Sequence, residues 1–159
     1  NIEEVAERHF SGVEVQLCNV HLQREICNRV RPKDKRAISS KLSEVFRKND
    51  PKRTVEDGVK DFAKFAKEWY EHYPFLSKIA DGERIHYYFT YLKYDVVVRR
   101  YIHSTNWIER FNRQIKKGAT YKCAFPSVDS APHLVGSIAI NSSYLGKRIG
   151  DLIGGLKKL

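Results

Sequence analysis

Between residues 55 and 73 the apolar side chains Val55, Val59, Phe62, Ala66, Trp69 and Tyr73 recur at steps of three and four. That period fits one face of an α-helix, where residues three and four apart lie above one another. A strand would alternate at every second residue. An apolar stripe of this kind must be covered, so the chain needs other elements with matching faces. Several are legible. Residues 33–49 form a basic segment with Ile38, Leu42, Val45 and Phe46 on one side, ended by Asn49-Asp50-Pro51. Val20 to about Val30 reads as a helix that stops before Pro32, because a proline pushes the preceding residue out of the α region. Ile2, Val5, Ala6 and Phe10 share one helical face, and Gly12 follows as a turn. Residues 84–98 are dense in Tyr, Phe and Val and read as short helices.

Further along, Ser104 to Lys117 is amphipathic. Trp107, Ile108, Phe111 and Ile115 are expected inward, Asn106, Glu109, Arg113 and Lys116 form a polar side, and Gly118 suits a C-terminal cap. A last helix begins near Ser127, after the Phe125-Pro126-Ser127 loop, with Val128, Leu134, Val135, Ile138 and Leu145 apolar. The tail with Gly150, Gly154 and Gly155 is expected to fray. One segment departs from the helical pattern. Val13 to Cys18 alternates apolar and polar residues, which predicts a strand.

A length of 159 residues bounds this to one domain, or a small domain with an insertion. With 42% hydrophobic residues there is enough apolar surface for a core, which excludes wholesale disorder. No apolar run is long enough to span a bilayer, and Asn1 to Phe10 has no signal-peptide core. Three irregularly spaced cysteines, Cys18, Cys27 and Cys123, do not make a disulfide framework, which points to a reducing, cytosolic compartment. The chain has no Met and begins with Asn1, as a piece of a longer polypeptide would.

The 29 Lys and Arg against 19 Asp and Glu give a net charge of +10. A chain this basic favours a polyanionic partner, most commonly nucleic acid. Residues 99–122 hold seven basic residues against Glu109 alone, and residues 22–53 hold eleven against four. The two stretches either converge on a phosphate backbone or sit apart as solvated faces.

Two motifs carry chemistry. Cys18-x-x-His21 follows the alternating segment. A structural zinc site takes about four ligands. Neither Cys27, Cys123, His9 nor His103 completes a zinc-finger spacing, so a structural pair is favoured. In Ser104-Thr105-Asn106-Trp107-Ile108-Glu109-Arg110-Phe111-Asn112-Arg113, Glu109 is a lone carboxylate among cations and should stay ionised. It suits a divalent cation facing a phosphate. Its spacing also fits a capping box with Asn106 as N-cap, and spacing alone favours the cap. Tyr87, Tyr88, Tyr91, Tyr94, Tyr101, Trp107 and Tyr121 offer stacking surfaces for bases, although most are expected in the core. No nucleophile elbow, Walker loop or dinucleotide loop is present.

The order Val-Gln-Leu-Cys-x-x-His at 15–21, Ser-Thr-Asn-Trp-Ile-Glu-Arg-Phe-Asn-Arg at 104–113 and Phe-Pro-Ser at 125–127 resembles the C-terminal half of the Mutator-like insertion-sequence transposases, over roughly residues 1–145. The resemblance implies a mainly α fragment, the C-terminal part of a ribonuclease H-like α/β core with about one core strand and an α-helical insertion. Residues 1–31 would be core, 32–100 the insertion, 101–146 the Glu-bearing and C-terminal helices, and 147–159 a Gly-rich tail. It implies an Asp-Asp-Glu site holding two Mg²⁺ or Mn²⁺ ions. One ion would activate water or a DNA 3′-hydroxyl and the other would stabilise the leaving oxygen. Glu109 would be the catalytic, metal-binding Glu, which outweighs the cap reading. Asn106, Asn112 and Arg113 match its surrounding signature, and Cys18 and His21 match a structural pair.

Arg99, Arg100, Arg110, Arg113, Lys116 and Lys117 are the expected DNA contacts. The implied partners are transposon ends and target DNA, with homo-oligomers and a cytoplasmic, nucleoid-associated location. The family's two Asp residues lie upstream of such a segment, and Asp81-Gly82 falls on the wrong side of Cys-x-x-His. With one ligand of three, the chain alone is expected to hold no metal tightly, to bind DNA weakly and to leave it uncut. Without neighbours, Val13–Cys18 must pair with another copy, be covered by helices or lose its strand form. The alternative is a non-catalytic nucleic-acid-binding or assembly module derived from a transposase. A zinc-binding helical domain built on Cys18 and His21 is a weaker third reading.

Overall fold

The computed structural model describes residues 2–122 and 124–142, the side chains of Ile2, Glu3, Glu7 and Trp107 excepted. The helices are α1 (Ile2–His9), α2 (Asn19–Arg29), α3 (Lys35–Val45), α4 (Val55–Glu68), α5 (Phe75–Ala80), α6 (Val96–Ile102), α7 (Asn106–Lys122) and α8 (Ser130–Asn141). Two 3₁₀ turns, Ile85–Tyr88 and Thr90–Lys93, connect α5 to α6. The mainly α expectation is therefore met. The chain divides into two compact units, residues 1–104 and 105–159.

The first unit is built around the stripe on α4. Thr54 and Asp57 close a capping box at its start: the Asp57 N–H donates to the Thr54 hydroxyl at 3.2 Å, and the Thr54 N–H donates to the Asp57 carboxylate at 3.0 Å. Phe62, Phe65 and Ala66 are then buried against Ile38, Leu42 and Val45 of α3 and Leu22 and Ile26 of α2. Phe89 completes the core from between the two 3₁₀ turns, stacked on Phe46 at 5.1 Å between ring centroids. Gly58 lets that ring in, because a Cβ there would stand 2.3 Å from Phe89 Cδ1. Tyr73 lies beyond the end of α4 but still turns inward. Its hydroxyl donates to Asp34 at 2.5 Å and accepts the Arg31 N–H at 3.1 Å.

The strand expected at Val13–Cys18 is not formed, and no strand occurs among the described residues. The segment has no regular secondary structure and no ladder partner among them. One backbone bond, from the Leu17 N–H to the Tyr87 carbonyl at 3.0 Å, ties it to the 3₁₀ turns. Side chains supply further ties. The Gln16 amide donates to the Tyr88 carbonyl at 3.2 Å and accepts the Tyr91 N–H at 2.6 Å. Glu14 accepts from Lys93 at 2.5 Å and from the Tyr94 hydroxyl at 2.9 Å, and these two bonds hold its pKa below the usual carboxylate value. The alternation that predicts a strand here places polar side chains as clasps.

The second unit is a pair of helices. α7 runs four residues beyond Gly118, which is therefore not its cap. A Cβ at Gly118 would meet Leu134 Cδ1 at 3.2 Å and Ile138 Cδ1 at 3.3 Å, so the missing side chain lets α8 approach. The buried Ser142 hydroxyl donates to Gln114 at 2.9 Å and closes the end of the pair. The inward face expected for α7 is only partly realised: Phe111 and Ile115 are half-buried, while Ile108 is exposed. Val5 and Phe10 of the first unit are exposed too. The Gly-rich tail, Leu145 and Cys123 lie outside the described residues. No helix among the described residues is long and apolar enough to cross a membrane.

Candidate nucleic-acid interface

α7 begins one residue earlier than a cap at Asn106 requires. Asn106 is its first helical residue, so Glu109 falls on the fourth helical position. The backbone bond there runs from the Glu109 N–H to the Thr105 carbonyl at 2.9 Å, and the Thr105 hydroxyl donates to Glu109 Oε1 at 2.7 Å. Glu109 is half-buried in the first turn, where the helix dipole favours a negative charge. The motif singles out Asn106, and the structure adds Thr105, whose hydroxyl bonds the carboxylate.

Beyond Glu109 the helix carries an exposed basic side. Arg110, Arg113, Lys116 and Lys117 are all exposed, as are Asn106 and Asn112. Arg110, Arg113 and Lys117 recur at steps of three and four, which sets them along one side over about 10 Å of helix axis. Lys117 Nζ lies 6.0 Å from the ring centroid of Tyr121, which is 78% exposed. Cationic side chains beside an open aromatic ring can meet a phosphate and stack a base.

Arg99 and Arg100 behave differently from one another. Arg100 is exposed, with its guanidinium 4.7 Å from the Tyr101 ring centroid and a 2.8 Å bond to the Tyr101 hydroxyl. Arg99 is only 3% exposed. It donates to the carbonyls of Tyr94 at 2.8 Å, Asp50 at 2.6 Å, Leu92 at 3.0 Å and Lys48 at 3.4 Å. This corrects the DNA contact expected of Arg99. A guanidinium engaged by four backbone carbonyls is a structural clamp. Arg53, 3% exposed and bonded to Asp61 at 2.6 Å, is a second interior arginine, and nothing in its sequence context separates it from its basic neighbours.

Cys18 closes the Val13–Cys18 segment and stands at the N-cap of α2 without a side-chain cap bond. His21 lies exposed in the first turn of that helix. Next to them the Asn19 N–H donates to the His103 carbonyl at 3.3 Å. His103 Nδ1 is 3.1 Å from the Arg99 carbonyl, and its Nε2 is 2.9 Å from Lys48 Nζ. The carbonyl requires the proton on Nδ1, which leaves Nε2 to accept from the ammonium. Burial and the Lys48 charge both lower the His103 pKa, and burial lowers that of Lys48. Of the aromatic residues read as core or stacking surface, Tyr91 is fully buried, with its pKa pushed up to about 12 by burial. Tyr94 and Tyr121 are exposed.

The sequence matches known proteins. The family model described as the transposase of the Mutator family matches residues 2–145. The transposase for insertion sequence element IS1201 of Lactobacillus helveticus is 30% identical over 126 residues, covering 79% of this chain and 33% of that protein. The transposase for ISRM3 of Rhizobium meliloti (strain 1021) is 28% identical over 142 residues, covering 87% of this chain and 34% of that protein. The transposase for IS905 of Lactococcus lactis subsp. lactis (strain IL1403) is 23% identical over 130 residues, covering 81% and 32%. The chain thus spans about a third of the length of the curated relatives it matches. No solved structure matches it. Because the family model covers nearly the whole chain, the protein belongs to the Mutator family of insertion-sequence transposases.

Proposed function

We propose that this chain is the Glu-bearing part of a DNA transposase of the Asp-Asp-Glu type, and that α7 is where it meets DNA. The observation that carries this is a single helix that begins with a hydrogen-bonded, half-buried carboxylate at Glu109 and continues with exposed Arg110, Arg113, Lys116 and Lys117. In the complete enzyme Glu109 would be the third metal ligand, joined by two aspartates of the remaining polypeptide. The basic residues would hold the phosphodiester backbone of transposon end or target next to it. The segment at Val13–Cys18 fits a ribonuclease H-like sheet completed by strands from that polypeptide. DNA binding of this kind would keep the protein on the nucleoid.

Mg²⁺ or Mn²⁺ would polarise the phosphodiester and activate the attacking oxygen when bound. Residues 99–122 offer one carboxylate, and a two-ion site needs more. The role of Glu109 here is to present a negative oxygen that Thr105 holds in place, and the chain alone is expected to leave DNA intact.

The test is a pair of assays. In the full-length transposase, Glu109→Gln should abolish metal-dependent strand cleavage, while in this chain it should leave DNA affinity unchanged or slightly tighter. Cleavage surviving Glu109→Gln would remove the catalytic role. The chain would then stand as a non-catalytic DNA-binding or assembly module.

A further inference from the structure

In the first unit three groups able to carry positive charge gather at the end of α6, and among the described residues no carboxylate is bonded to any of them. Arg99 is buried on carbonyls, one of them that of Lys48. The Lys48 ammonium faces His103 Nε2 at 2.9 Å, and His103 Nδ1 returns to the Arg99 carbonyl at 3.1 Å. Buried or half-buried cations ordinarily take an acidic partner, because an unpaired charge in low dielectric is costly. The neighbouring acids are used elsewhere: Asp50 accepts the Lys52 N–H at 3.0 Å, and Asp95 accepts the Val97 N–H at 2.8 Å. The groups packed around His103 are Lys48 after α3, the backbone of Arg99 and Arg100 in α6, the Tyr91 ring at 6.5 Å and the Asn19 N–H at the start of α2. None of them carries a negative charge. Lys48 and His103 remain half-exposed, so a ligand can reach them.

We propose that Lys48 and His103 form a phosphate-binding pair, which takes a non-bridging oxygen of a nucleic-acid phosphodiester while His103 gains a proton from solvent. This rests on the DNA-binding reading above and adds a second, protonation-dependent contact to it. In the free protein the Lys48–His103 bond and burial favour the neutral imidazole. An anion between the two groups reverses the balance, because both can then donate to it as cations. Binding therefore takes up one proton at pH values between the lowered pKa of the free protein and the raised pKa of the complex. In that window affinity strengthens as pH falls, by up to about tenfold per pH unit.

The experiment measures binding of a fixed mixed-sequence duplex by fluorescence anisotropy across the histidine titration range at constant salt. Calorimetry in buffers of different ionisation enthalpy counts the protons. The wild-type chain should bind more tightly at lower pH and take up a proton. His103→Gln, which keeps a neutral acceptor, should bind with a flatter pH profile and lose that uptake. Lys48→Met should reduce the salt dependence by about one phosphate contact. Identical pH profiles for wild type and folded His103→Gln would overturn the pair and leave the DNA-binding reading standing. If the chain binds no DNA even at low salt, that reading fails. The His103 imidazole, followed by NMR with inorganic phosphate, then decides the pair alone: a raised pKa supports an anion site, and an unchanged one refutes it.

Discussion

The two units solve the problem of burying apolar surface in opposite ways. The first draws on α2, α3, α4, α5 and the 3₁₀ turns to bury Ile26, Ile38, Leu42, Phe62, Leu76, Phe89 and Tyr91 almost completely. In the second, no apolar residue is fully buried among the described residues, and Val128 and Ile140 are 90% and 86% exposed. Two helices present too few facing rows to enclose a core. The comparison separates two uses of charge. In the first unit Arg99 and Arg53 are interior and hold backbone and Asp61 in place. In the second, Arg110, Arg113, Lys116 and Lys117 are exposed, and the proposed DNA contact would use them.

Substitutions should break or sharpen this contrast. The largest effect is expected at Phe89→Ala, which empties the space against Phe46 and Gly58 and should cost about 3–5 kcal/mol in urea unfolding. Ile140→Ser and Val128→Ser should stay within about 0.5 kcal/mol. A large loss at either would mean that the second unit has a core of its own. Next comes Arg99→Met, which strands four carbonyl acceptors and should destabilise by about 2–4 kcal/mol, with Arg99→Lys restoring only part because an ammonium lacks the planar fork. Thr54→Ala removes the hydroxyl half of the α4 capping box and should cost about 1 kcal/mol.

The smallest effect is a pH dependence. The His103 pKa is lowered in the folded state from an ordinary 6.5, so the unfolded chain binds the proton more readily. The stability this contributes is complete above pH 6.5 and is lost as pH falls from there through the folded pKa. Thermal unfolding at a series of pH values should show that loss, and His103→Gln should remove its share of it.

α2, α3 and α4 were legible from the three-and-four period of their apolar residues, although α4 ends at Glu68, before Trp69 and Tyr73 of its stripe. α5 was not, since six residues after Pro74 are too few to display a period. The alternation at Val13–Cys18 was real, but a strand is made by its neighbours, and Gln16 and Glu14 bond 3₁₀ turns and their flank instead. The motif singles out Glu109 as a candidate, whereas the 2.7 Å bond from Thr105 is visible only in the structure. Arg99 could not be sorted from Arg100 by sequence, because adjacent arginines look alike until one turns inward. Lys48 and His103 are far apart in sequence, so their pairing left no local signal.

The central claim is that α7 carries the DNA contacts, and the slope of DNA affinity against salt tests it most directly. The wild-type chain should bind duplex DNA with log affinity falling linearly as log salt rises. Replacing Arg110, Arg113, Lys116 and Lys117 together by Ala should weaken binding to every sequence and lower the slope by about 0.9 for each phosphate no longer neutralised. Unchanged affinity and slope in that variant would contradict the account.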